Sequence, residues 1–408
     1  MEAAPERFGS YVIYEQLGKG GMATVHRAEL PQRTGAPKQI ALKRLMPTYQ
    51  KEIVALFLDE ARLLRYLHHP NIAETYDSGK VFGTYFIAME YVKGPTLKEL
   101  VKHCGSTVGS VPQEITVNLV AQLCDALDHA HNRTDEKGAP LGIIHRDITP
   151  SNVIVSDKGA LKLIDFGLAK AKVSTEETGQ GIIKGKFGYV APEYLGGKLD
   201  HRADLWAVGI IMYELLTSRR LFDGKDAFET MMRVRSLPIP RPSIGNPRVT
   251  PELDRLVMTA LERNPDKRWQ SAAEMRDALR EVIRQPGNQI DGPHIAEWVR
   301  WVFELQPGSD ISGVRHLKAL SGAPDNEATI MDPLPPMPID DDDEDDDGDV
   351  TEAEEPPRSP TPIPRPAPLP APVAAIVGDI SRAALIWYAG ALAVAFVAAA
   401  AIVWALLG

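Results

Sequence analysis

The feature that most constrains this chain of 408 residues is a fifty-residue stretch that cannot fold into anything compact. Residues 323–372 hold fifteen Asp or Glu against two Arg, and nine of the ten positions from Asp340 to Asp349 are acidic. Like charges at that density repel, and too few apolar side chains are present to offset the entropy of ordering. From Pro356 to Pro372, nine of seventeen residues are proline, which stiffens the backbone toward polyproline II. The chain is therefore expected as a folded unit, a solvated linker over 323–382 and a separate apolar piece. The linker also hides the charge of the rest: it carries −13 of a net −10, leaving about +3 elsewhere. A near-neutral folded part gives no reason to expect a nucleic-acid partner. Two cysteines, Cys104 and Cys124, exclude a disulfide scaffold and fit a reducing compartment.

Beyond the linker, Ala383–Leu407 is a run of 25 uncharged, mostly apolar residues. At about 1.5 Å per residue a helix of that length crosses a hydrocarbon core of about 30 Å. Trp387 and Tyr388 lie near one end and Trp404 near the other, where interfacial aromatics sit. A buried core helix is the alternative, but the linker leaves no core to join. Met1–Ser10 shows no secretory signal, only Gly408 follows the run, and Arg358, Arg365 and Arg382 precede it. The expectation is a tail-anchored, single-pass protein of the cell inner membrane, with everything before the span in the cytoplasm. Between the large unit and the linker, residues 286–322 carry Ile295, Trp298, Val299, Val302 and Phe303 at the spacing of one helix face. That face is expected to pack on the large unit as a helical extension.

Within the large unit, several short patterns carry chemistry in combination. Leu17-Gly18-Lys19-Gly20-Gly21-Met22-Ala23-Thr24-Val25 is a glycine-rich turn between strand-like segments, where backbone N–H groups could approach phosphate oxygens. Alone it is equally a plain hairpin. The next strand places Ala41 and Lys43 among apolar neighbours, and an apolar-periodic helix carries Glu60 seventeen residues after Lys43. His145-Arg146-Asp147-Ile148-Thr149-Pro150-Ser151-Asn152 follows, then Asp165-Phe166-Gly167, Ala191-Pro192-Glu193, and the start of a long apolar helix at Asp204. Each has a bland explanation alone; the ordered set does not.

With these motifs in this order, residues 8–285 resemble the eukaryotic-like (Hanks-type) serine/threonine protein kinases of bacteria. The segment Gly185–Glu193 and the C-terminal apolar run look most like the membrane-attached kinases of myxobacteria. The resemblance implies an α+β, two-lobed fold, with a β-rich small lobe over about 8–92 and a helical large lobe over about 93–285. It implies ATP and Mg²⁺, with Mn²⁺ as an alternative, and protein Ser/Thr substrates. Lys43, ion-paired to Glu60, would bind the α- and β-phosphates. Asn152 and Asp165 would hold the metal, and Asp147 would accept the proton of the attacking hydroxyl. Val25 and Ala41 would sandwich the adenine, Met89 would close the back of the pocket, and the Glu90 carbonyl and Val92 N–H would read its edge. Glu193 resembles the residue that pairs with a late arginine, here Arg268.

Three departures from the family pattern matter. The third glycine of the phosphate loop is Ala23, expected to stiffen the loop slightly. The catalytic-loop position that normally holds lysine is Thr149, while the segment before Ala-Pro-Glu has Lys186 where the family has threonine. The expectation is an exchange, with Lys186 reaching back to Asp147 and the phosphoryl group and Thr149 supplying the hydroxyl. The alternative for Lys186 is a solvent-facing charge. Finally, Arg146 could receive a phosphate on Ser174, Thr175 or Thr178, with neighbouring copies autophosphorylating one another. Thr149 and Ala23 are the only support for the rival reading, an ATP-binding pseudokinase scaffold at the membrane.

Overall fold

The computed structural model describes residues 5–32, 34–47, 51–166, 184–196, 199–285, 289–308 and 312–321. The activation-loop candidates Ser174, Thr175 and Thr178, the linker and the apolar run 383–407 lie outside them. No helix among the described residues is long and apolar enough to cross a membrane.

The small lobe is one six-stranded antiparallel sheet. Its strands are β1 (Glu6–Phe8), β2 (Tyr11–Lys19), β3 (Ala23–Leu30), β4 (Lys38–Leu45), β5 (Thr75–Val81) and β6 (Thr84–Glu90), in spatial order β1-β2-β3-β4-β6-β5. The period-2 alternation of a strand decides which side chains reach the cleft. In β4, Ile40 and Leu42 join Phe86 and Ala88 in an outer apolar cluster, while Ala41 and Leu45 join Ile87 and Met89 on the other face. Helix α1 (Lys51–Leu64) covers that second face with Phe57, Ala61 and Leu64. Glu60 lies on this buried stripe and not on the solvent side, so sheet and helix point Lys43 and Glu60 at each other.

The large lobe is built from α2 (Leu97–Thr107), α3 (Gln113–His131), the hairpin β7 (Val153–Val155) with β8 (Leu161–Leu163), α4 (Arg202–Thr217), α5 (Ala227–Ser236), α6 (Pro251–Ala260) and α7 (Ala272–Arg284). A 3₁₀ turn, Lys184–Tyr189, and a second, Pro192–Gly196, precede α4. Helix α4 is buried on all sides, as its unbroken apolar composition requires. It is the central post of the lobe. Cys104 and Cys124 are both buried free thiols, and burial pushes both up from the ordinary thiol range.

Two further helices, α8 (Gly292–Glu304) and α9 (Gly313–Ser321), follow. Ile295, Trp298, Val299 and Val302 are buried against the large lobe. Phe303 departs from the expectation: it remains 40 % exposed, at the margin of the apolar face, with its ring stacked on His103 at 4.6 Å. Polar bonds fix the seat. His103 Nε2–H donates to the Val302 carbonyl at 2.7 Å, and Asn118 Nδ2–H donates to the Ile290 carbonyl at 3.0 Å. Trp298 Nε1–H donates to the Gly313 carbonyl at 2.9 Å. Gly159, at the tip of the β7–β8 hairpin with φ +75°, has no room for a side chain: a Cβ there would lie 1.9 Å from the Gly292 carbonyl oxygen. Residues 289–308 and 312–321 are thus part of the large lobe's surface and not a free helix awaiting a partner.

That seat makes a stability prediction. Trp298→Ala removes a fully buried indole between α2 and α9, and such truncations cost about 3–5 kcal/mol. Denaturant unfolding of the parent and variant measures it; a loss under about 1 kcal/mol would mean that the extension contributes little to the lobe.

Candidate active site

The cleft between the lobes brings together residues separated by more than a hundred positions. Lys43 Nζ–H donates to Glu60 Oε1 and to Asp165 Oδ1, each at 2.9 Å. Burial alone would lower the Lys43 pKa, but the Asp165 and Glu60 carboxylates outweigh it and hold the ammonium well above the usual lysine range. Burial works against the Asp165 carboxylate too, and Lys43 nonetheless holds it below its ordinary range. Each charge is therefore kept by the other. Asp165 itself adopts a left-handed backbone, φ +53°, an uncommon conformation for a residue with a side chain.

Asp147 is held from the other lobe. Asn152 Nδ2–H donates to Asp147 Oδ2 at 2.9 Å and to its carbonyl at 2.8 Å, and Lys186 Nζ–H donates to the same Oδ2 at 3.1 Å. The lysine therefore faces Asp147, not bulk solvent. Thr149 makes no matching bond to the protein's described residues. Its hydroxyl is buried and has no hydrogen-bond partner among the described residues, so it supplies nothing to Asp147 or Lys186. The reason is reach. In an extended stretch residues i and i+2 share a face, but a hydroxyl ends one bond from Cβ whereas a lysine stem spans several ångströms.

Two anchoring residues carried no signal as separate motifs. Asp204, buried at the start of α4, accepts the backbone N–H groups of His145 and Arg146, each at 2.9 Å, and a bond from His131 Nε2 at 2.8 Å. The His145 ring sits 4.5 Å from that of Phe166, linking this anchor to the Asp165 turn. Arg146 takes a left-handed conformation, φ +64°, that the anchored loop imposes. The turn before Ala191 is fixed similarly: Tyr189 O–H donates to Glu214 Oε2 at 2.7 Å, a carboxyl that burial pushes up to about 7. Arg268 grips Glu193 with two bonds, at 2.6 and 2.7 Å, the fork geometry that favours arginine.

Gly18 and Lys19 end β2, and Gly20, Gly21 and Met22 form the turn to β3, closed by a Gly20 N–H to Ala23 carbonyl bond of 2.8 Å. A Cβ at Gly18 or Gly21 would meet nothing within 4 Å, so these glycines border open space on the cleft rim. Ala23 is already in β3, paired with Leu45 and 3 % exposed. Its methyl belongs to the lobe core, so Ala23 is a packing residue of the strand and not part of the turn. Register places Val25 beside Lys43 and Ala41 beside Met89, and Leu17 and Thr24 flank the turn. Beyond Met89, Glu90 is tied by its carboxylate to Lys162 at 2.7 Å, and Val92 is nearly buried.

Asp165 and Asn152 fit a divalent metal as hard oxygen donors. With the Asn152 Nδ2 engaged by Asp147, its Oδ1 is the atom for a cation. Among the described residues no cluster of three or more His, Cys, Asp or Glu forms a metal cage. Mg²⁺ bound through one or two protein oxygens plus substrate phosphates needs none.

The charge triad yields a measurable coupling. Lys43→Ala removes the cation from two carboxylates in a buried site and is expected to cost about 3–5 kcal/mol in denaturant unfolding. Adding Glu60→Gln should return part of that loss; strictly additive losses would show that the two side chains do not interact.

The comparisons agree with this geometry. The family model for the protein kinase domain matches residues 11–280. The chain is 34 % identical over 281 residues to the tyrosine-protein kinase MasK of Myxococcus xanthus, covering 68 % of this chain and 44 % of that protein. It is 33 % identical over 330 residues to the serine/threonine-protein kinase PknB of Mycobacterium leprae, covering 79 % of this chain and 50 % of the relative. The chain thus spans half or less of these curated relatives. The crystal structure of the PknI kinase domain of Mycobacterium tuberculosis superposes with a TM-score of 0.52 at 29 % identity, covering 68 % of this chain and 98 % of that domain. With both halves of the cleft assembled and two thirds of its length matched, the chain belongs to the protein kinase family, in the company of bacterial Hanks-type kinases.

Proposed function

We propose that this protein transfers the γ-phosphoryl group of ATP to Ser or Thr hydroxyls of proteins. The observation that carries the reading is the complete cleft: Lys43 bonded at once to Glu60 and Asp165, facing an Asp147 positioned by Asn152. Members of the family use ATP with a divalent metal, which would neutralise phosphate charge when bound by Asn152 and Asp165. Lys43 orients the phosphate chain. Asp147 takes the proton of the acceptor hydroxyl as its oxygen bonds to the γ-phosphorus, while the β–γ bridging bond breaks and ADP leaves with the electron pair. A nucleotide-binding scaffold would not need all five of these side chains. MasK is named as a tyrosine kinase and PknB as a serine/threonine kinase, so the acceptor class is part of the proposal.

Three finer points belong to the same reading. The helix expected over 383–407 would hold the protein in the inner membrane with its catalytic unit cytoplasmic, supported by hydropathy alone. A linker of 60 residues, 323–382, would span roughly 45 Å as a flexible coil, letting neighbouring copies phosphorylate one another. Arg146 then offers a cationic side chain for a phosphate on Ser174, Thr175 or Thr178.

The test is incubation of the full-length chain with labelled ATP, Mg²⁺ and a generic protein acceptor, beside Asp147→Asn. Labelled phosphoserine or phosphothreonine is expected from the parent, with the variant slower by about 10²–10⁴-fold. No label from the parent would favour the scaffold, and phosphotyrosine would reassign the acceptor. In cell fractionation the full chain should sediment with membranes and need detergent for release; recovery in the soluble fraction would remove the membrane assignment.

A further inference from the structure

The exchange at Thr149 and Lys186 raises a question that family membership leaves open: where does the cation on the transferring phosphoryl group come from? Lys186 Nζ lies 3.1 Å from Asp147 Oδ2, yet its side chain is 35 % exposed, so the ammonium borders the open cleft. An ammonium bonded to Asp147 stands beside the proton acceptor, at the place where the acceptor hydroxyl must approach. The reacting phosphorus must pass through that region. Two residues after Asp147, the buried Thr149 hydroxyl has no partner among the described residues, a costly state for a polar group unless a ligand supplies the bond.

We propose that the phosphoryl group is held by two donors from different segments, the Lys186 ammonium from the turn before Ala191 and the Thr149 hydroxyl from the Asp147 loop. This rests on the kinase reading above. Its consequence is regulatory. A lysine in the Asp147 loop would be anchored with that loop by Asp204, and so would be present whatever the activation segment does. Lys186 instead rides on the 3₁₀ turn Lys184–Tyr189. That turn is seated by Tyr189 O–H on Glu214 and by Gly188, where a Cβ would lie 2.6 Å from the Phe222 carbonyl oxygen. Lifting the turn withdraws the cation from the cleft. Seating of this segment then controls the chemical step itself as well as access of the acceptor.

The experiment uses the full chain and compares the parent with Lys186→Ala, Lys186→Thr and the reciprocal pair Lys186→Thr with Thr149→Lys. Two readouts are taken: kcat, and the ratio of affinities for a non-hydrolysable ATP analogue and for ADP, both with Mg²⁺, by calorimetry. Removing Lys186 should lower kcat by about 10²-fold or more. The ATP-analogue to ADP affinity ratio should fall at least threefold, because only the former carries a γ-phosphate. The reciprocal pair should regain at least tenfold in kcat over Lys186→Thr. A kcat within twofold of the parent in Lys186→Ala overturns the proposal. So does an unchanged affinity ratio, or a loss that the reciprocal pair does not recover, since either would assign Lys186 to seating the turn alone. A parent with no turnover fails the kinase reading instead, while the affinity ratio still tests Lys186.

Discussion

A lysine ammonium shared between two carboxylates holds this cleft together. Lys43 comes from a small-lobe strand, Glu60 from the helix laid on that sheet, and Asp165 from the turn after β8 in the large lobe. None of the three charges is cheap to bury alone, and each is stabilised by the others. Their mutual contact therefore demands that sheet, helix and large lobe meet in one arrangement. The pKa directions agree with this: Lys43 keeps its proton and Asp165 stays ionised despite burial.

A second buried carboxylate plays the matching part in the large lobe. Asp204 touches no expected substrate, yet its two oxygens fix the backbone on which Asp147 stands and accept the bond from His131. The loop can then hold left-handed Arg146 because the carboxylate over-determines it. Asp147 itself is left between an amide and an ammonium, with the amide from its own loop and the ammonium from a turn 39 residues away. The strongly fixed groups orient, and the more accessible ones meet the substrate.

The helical extension shows the same logic without charge. Its apolar stripe closes over α2 and the β7–β8 turn, and the polar bonds at its rim satisfy backbone groups that burial would otherwise strand. The catalytic unit therefore continues past Arg284 as a packed helix pair.

Much of this was legible in residue order. Lys43, Glu60, Asp147, Asn152 and Asp165 could be named because the short motifs that carry them stand in the order of a known family, and that resemblance assigns each its part in phosphate binding, metal ligation or proton transfer. The stripe from Ile295 to Val302 could be named because helical periodicity records burial. What sequence alone could not decide was contact at a distance. Asp204 and His131 looked like ordinary helix residues, since a carboxylate's backbone partners leave no local trace. The reading that Lys186 and Thr149 trade places needed coordinates, because both substitutions are visible but reach is not: the long stem arrives at Asp147 and the short hydroxyl does not. The order of residues determined which chemical groups this protein owns and which faces it must bury. Only the tertiary structure decided which of those groups touch, because contact depends on side-chain length and direction across elements that the chain separates.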